Sequence, residues 1–155
     1  MKPFNPTERL APRAAIAAAA CFVAIALFQL VLAVGAPLGH AAWGGAHANL
    51  STAERVGSAI AMFVWSGAAL ILLGRAGLRP TRVPSKILRR ATWTLVGLSL
   101  IAAIMNFASP SQWENLIFGP LALLLATLCT IVARSDLEPQ QHPTAARSLT
   151  RRAGA

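Results

Sequence analysis

Two glutamates stand in matching contexts, each three residues after a serine: Ser51-Thr52-Ala53-Glu54 and Ser111-Gln112-Trp113-Glu114. At one face of a membrane, such a pair of carboxylates would serve acid–base chemistry or proton coupling. The same spacing is a capping box, in which the serine oxygen and the glutamate carboxylate satisfy orphan helix N–H donors reciprocally. Negative charge also suits a helix N-terminus, so capping alone accounts for both acids. Arg55 is placed to pair with Glu114. Gln29 and Asn106 interrupt otherwise apolar stretches, where polar side chains face a bundle interior. They either bond to each other or line a small ligand cavity. Trp65, halfway along another apolar stretch, either packs into the bundle or touches that ligand.

The segment from Pro37 to Leu50 holds two of the three histidines, His40 and His47, together with Trp43. With Glu54 the histidines form a conceivable metal set. However, Gly44-Gly45 breaks any helix between them and no further ligand is evident, so no metal and no cofactor is assigned. The alternative is a glycine-rich loop folded over a bundle mouth and anchored by Trp43. Cys21 and Cys129 lack a CxxC partner and read as reduced packing residues, which excludes thiol–disulfide exchange. No apolar stretch contains a histidine, which excludes haem ligation between spans. A phosphate-binding glycine loop and a nucleophile elbow are also missing. No catalytic residue is assigned. The ligand-contact candidates are Gln29, His40, Trp43, His47, Glu54, Arg55, Trp65, Asn106 and Glu114.

These residues must be positioned by very apolar elements. The chain is 55% hydrophobic and only 12% charged, about half the charge content of an ordinary soluble domain. Four stretches, about 14–36, 52–74, 91–108 and 112–133, are each long enough to cross a bilayer. Without water in the hydrocarbon, their backbone groups must pair internally, which predicts four helices. The first is longer than the apolar region of a secretory signal, and Pro37 after Val34-Gly35-Ala36 opposes cleavage, so it reads as a retained span.

The net charge is +9, but the basic residues cluster in short blocks. A nucleic-acid binder spreads such charge over a polar face, so no nucleic-acid partner is expected. Of 14 basic residues, all but Arg55 fall in residues 1–13, the middle loop (Arg75 to Arg90) or the tail. The positive-inside rule then places both termini and the middle loop in the cytoplasm. The expected architecture is all-α: a four-helix membrane domain over 14–133, built as two hairpins in series. A cytoplasmic N-terminus (1–13) precedes it, and a disordered cytoplasmic tail (134–155) follows. The loop and tail would rest on anionic lipid headgroups. Pairs of small residues four apart, Ala20/Ala24, Gly57/Ala61, Ser99/Ala103 and Ala122/Ala126, would allow close helix packing. The bias to 12 arginines over 2 lysines suggests a GC-rich bacterial source.

The run Gly35-Ala36-Pro37-Leu38-Gly39, then Trp43-Gly44-Gly45 and Glu54-Arg55, resembles an uncharacterised family of small four-span bacterial membrane proteins. Asn106-Phe107-Ala108-Ser109-Pro110-Ser111, Glu114 and Gly119-Pro120 resemble that family's second outer segment. The resemblance implies the four-span architecture and a role for both outer segments, and supplies no catalytic residue. Small multidrug exporters are similar in size, but their glutamate in the first span is missing here. The reading is a plasma-membrane protein that contacts a small ligand or lipid, or an accessory subunit with a membrane-protein partner or a second copy of itself. The rival is a membrane enzyme or proton-coupled transporter using Glu54, Glu114, Asn106 and Gln29.

Overall fold

The computed structural model describes residues 6–135, with side-chain environments from Leu10 onward. The first five residues and the tail from Asp136, with the expectations attached to them, lie outside the described residues. Among the described residues the chain is all-α. Helix α1 spans Pro6–Ala33, α2 Thr52–Arg75, α3 Ser85–Ala108 and α4 Gly119–Arg134. A π-helical turn, Glu114–Phe118, leads directly into α4. Four stretches, Leu10–Ala33, Thr52–Arg75, Ser85–Ala108 and Glu114–Arg134, are long and apolar enough to cross a membrane. At about 1.5 Å of rise per residue, the 24-residue stretches reach roughly 36 Å.

Local chemistry sets the helix ends. α1 stops at Ala33 rather than Ala36 because Gly35 takes a left-handed conformation, φ 97°. The Ala36 N–H bonds to the Val31 carbonyl at 3.1 Å and the Gly35 N–H to Leu32 at 3.0 Å, a Schellman ending. α2 starts with the predicted capping box, complete in both directions between Ser51 and Glu54. α3 starts at Ser85, six residues ahead of its apolar stretch, so its first turns carry Lys86, Arg89 and Arg90.

α1 packs most extensively on α2 and α3 on α4, while α1–α4 and α2–α3 contacts close the ring, the latter being the thinnest. At the end nearer the α2–α3 loop the bundle is solid. Ala14, Ala15, Ala18, Ala19 and Phe22 of α1 meet Ala68, Ala69 and Leu72 of α2, with Leu125, Cys129 and Val132 of α4. Alanines let the backbones approach closely, which in hydrocarbon is a main source of helix association. The expected contact pair Ala20/Ala24 is a correction: both side chains point outward. The buried stripe of α1 runs 11, 14, 15, 18, 19, 22, 26, and Ala20 and Ala24 fall outside it. Ser99/Ala103 and Ala122/Ala126 do face inward.

The outer surface is apolar. Phe63 and Leu116 are 71% exposed and Ile104 69%, with Ile16, Leu27 and Ile60 also turned outward. In water a belt of this kind far exceeds an ordinary monomer's apolar patches, whereas in hydrocarbon it costs nothing. Hydroxyls along the helices bond back to carbonyls one turn earlier: Ser66 to Met62, Thr92 to Leu88, Thr127 to Leu123 and Thr130 to Ala126, at 2.7–2.9 Å. Each hydroxyl is thereby satisfied within its own helix and needs no water.

Candidate functional site

At the opposite end the bundle is hollow. A cavity of about 120 Å³ lies among all four helices. α1 contributes Ile25, Phe28 and Gln29; α2 contributes Trp65; α3 contributes Ser99, Ala102 and Asn106. From the last helix come Glu114, Phe118 and Leu121, and Ala41 and Ala42 of the α1–α2 loop close the top. A neighbouring groove shares Gln29, Ala42, Asn106 and Glu114 with it and adds Trp43, Gly44, Met105 and Ser109. The cavity therefore reaches the surface beneath the Trp43–Gly44 turn.

The loop is bolted down as a roof. Trp43, Gly44 and Gly45 all take positive φ, at 55°, 82° and 73°. The two glycines adopt this conformation freely; Trp43 does so at a strain cost of order 1–3 kcal/mol. Two contacts offset it. The Trp43 indole N–H donates to Ser58 Oγ at 3.0 Å, and its ring lies against Gly57, where only a hydrogen fits. The Gly44 N–H points to the Glu114 carboxylate, 3.2 and 3.4 Å from its oxygens. The Ser111 hydroxyl donates to the His40 carbonyl at 2.8 Å. The His40 ring Nδ1 faces the Gly45 carbonyl at 2.9 Å.

Glu114 does not behave as the sequence predicts. Its expected capping box with Ser111 is absent, and this is a correction. The Ser111 N–H is taken by Ser109 Oγ at 3.1 Å, while the Ser109 hydroxyl also donates to the Glu114 carboxylate. The helix is widened here into a π turn, closed by the Gly119 N–H on the Glu114 carbonyl. Pro120 gives the reason: it has no N–H for the Leu116 carbonyl, and its ring crowds that carbonyl in a regular α-helix. A π turn inserts one residue and changes where side chains point. Here it accompanies a glutamate that lines the cavity instead of capping its helix.

The expected Gln29–Asn106 hydrogen bond is not formed. Asn106 Nδ2 donates to the Ala102 carbonyl at 2.8 Å, and Gln29 Oε1 is buried without a partner. The expected Arg55–Glu114 pair is likewise replaced. Arg55 Nε donates to the Ala33 carbonyl at 3.0 Å, with its guanidinium laid over Gly35, so it completes the C-terminus of α1. Trp65 stacks on Phe22, ring centroids 5.4 Å apart, and also lines the cavity.

Of the nine candidates, Gln29, Trp65, Asn106 and Glu114 converge on one cavity, and Trp43 lines its mouth. His40, His47, Glu54 and Arg55 do not line it; among the described residues no group of three or more His, Cys, Asp or Glu side chains is assembled. Sequence reasoning missed Ser99 as a site residue. It is 2% exposed and its hydroxyl has no partner, unlike the hydroxyls that bond back along their helices. The signal was present: Ser99 and Asn106 are seven apart, two turns along one helix face. Comparison with known protein families, curated proteins and solved structures gives no match for this chain.

Proposed function

We propose that this is a multi-pass plasma-membrane protein that holds a small ligand in the cavity under its α1–α2 loop, without catalysing a reaction. Both termini and the α2–α3 loop lie on the cytoplasmic side in this reading, supported by the 13 basic residues on that face. The helical hairpins α1–α2 and α3–α4 then open outward, and the cavity sits in the outer half of the membrane. Of the residues that carry the resemblance to the small four-span bacterial family, Trp43, Gly44, Asn106, Ser109 and Glu114 line the cavity or its groove.

One observation carries the ligand reading. Gln29 Oε1 and the Ser99 hydroxyl are buried and unpaired in residues that line the same cavity. An unpaired buried polar group costs about 1–3 kcal/mol, and packing alone gives no reason to keep two beside an open volume. Cavity-filling variants test this in protein purified with its native lipids. Mass spectrometry should find a small molecule retained by the wild type and lost in Ser99→Leu and Ala122→Leu. A wild type that retains nothing, with both variants simply gaining thermal stability, would make the cavity a packing defect.

The rival, proton-coupled reading keeps Glu114, Asn106 and Gln29, which share the cavity. It loses Glu54, whose carboxylate is committed to the Ser51 N–H and hydroxyl, each at 2.7 Å.

A further inference from the structure

The cavity's lining carries charge of one sign, although the Gln29 and Asn106 amides and the Trp65 indole also bring N–H donors to it. Glu114 is the one charged side chain on it, and an ionised carboxylate only accepts hydrogen bonds. The unpaired Gln29 Oε1 is likewise an acceptor. The unpaired Ser99 hydroxyl can accept as well as donate. Arg55 of α2 turns its Nε–H to the Ala33 carbonyl and does not line the cavity, and the Asn106 amide is partly engaged by Ala102. Phe28 and Phe118, 5.3 Å apart, and Trp65 present aromatic surface to the same space. Acceptors, a carboxylate and aromatic faces together suit a cation that carries N–H donors. An anion would meet Glu114 with like charge in a low dielectric, and a neutral apolar guest would leave that charge balanced only by the Gly44 N–H and the Ser109 hydroxyl.

Size narrows the class further. An apolar cavity of about 150 Å³ accommodates benzene, so one of about 120 Å³ holds roughly five non-hydrogen atoms by the same scale. We propose that the cavity binds a small primary ammonium ion, drawn by the Glu114 carboxylate and received by the aromatic faces and remaining acceptors of the lining. The ion enters through the groove beneath Trp43 and Gly44. This inference rests on the ligand-holding reading above and adds the charge and size of the ligand.

Thiol labelling separates the two. In full-length protein with Cys21→Ala and Cys129→Ala, a Ser99→Cys variant is treated with three methanethiosulfonates: ethylammonium, neutral methyl and anionic ethylsulfonate. Each rate is divided by the rate at an exposed loop cysteine, Asn49→Cys, to remove intrinsic reactivity. The expected order is cation above neutral above anion, with at least a tenfold cation-to-anion ratio. Adding Glu114→Gln should bring that ratio close to one, whereas Glu54→Gln should leave it unchanged. Millimolar ethylammonium should slow labelling at residue 99 and not at residue 49. If the neutral reagent enters but the cation has no advantage, the ammonium assignment falls and the ligand cavity stands. If none of the three reacts, both fall. Should Ser99→Cys fail to fold, Ala102→Cys on the same lining provides the identical readout.

Discussion

Replacing Gly57 by alanine should loosen the roof, and the size of the effect follows from the geometry. A Cβ at residue 57 would lie 2.6 Å from Trp43 Cη2 and 2.9 Å from Cζ2. Carbon atoms in contact prefer about 3.5–4.0 Å, so the indole must retreat by about 1 Å. It cannot do so in place, because its N–H is held by Ser58 Oγ at 3.0 Å. Losing that bond strands a hydroxyl that is 0% exposed, at about 1–3 kcal/mol. Alanine's better helix propensity returns up to about 1 kcal/mol, leaving a net loss of up to about 2 kcal/mol. Gly67 of the same helix is the matched control, because a Cβ there meets nothing within 4 Å. Gly67→Ala should therefore be neutral or stabilising by up to about 1 kcal/mol. Thermal unfolding in detergent, followed by tryptophan fluorescence, compares the two, and Gly57→Ala should also red-shift the native emission as Trp43 moves outward. Equal stability for the two variants, with unchanged native emission, would refute the pinned-roof account.

Reporter fusions after Arg82 should lie in the cytoplasm and one near Gly45 outside, as the basic-residue distribution requires; an external signal from the Arg82 fusion would invert the topology. The two Ser-x-x-Glu motifs should respond differently: Ser51→Ala should cost about 0.5–2 kcal/mol as a lost cap, while Glu54→Gln, which the motif tolerates, should change thermal stability little. At the other motif, Ser111→Ala should free the α1–α2 loop from its His40 carbonyl anchor, seen as faster proteolysis between Pro37 and Leu50 with α4 intact. Pro120→Ala should let the π turn relax to α-helix, swinging Glu114 by about 100°; thermal stability should hold or rise while cation-selective labelling at residue 99 disappears.

The two motifs also show where sequence reading stops. Ser51 and Glu54 satisfy each other across three residues, within one helical turn, so their spacing was enough to predict the bond. Ser111 and Glu114 have the same spacing, but the roof loop brings the His40 carbonyl and the Gly44 N–H to them, and Pro120 widens the helix between. Ser109 and Pro120 are local, but the His40 carbonyl and the Gly44 N–H lie 71 and 70 residues away from their partners, and no window of sequence contains them together. Gln29 and Asn106 behave similarly. Their polarity marked them as inward-facing, yet whether they bond or stand apart depends on the spacing between helices, which the packed alanines at the other end help to set.

The four apolar helices are legible in the residues alone because hydrocarbon supplies no hydrogen-bond partner, so any stretch of that length and composition must satisfy its own backbone. That requirement acts residue by residue along the chain and leaves its signature in composition. Cavity, roof and the convergence of Gln29, Ser99, Asn106 and Glu114 come only with the tertiary structure. They depend on which face each helix turns inward, and an alanine-rich helix has several faces that could pack equally well until its neighbours arrive.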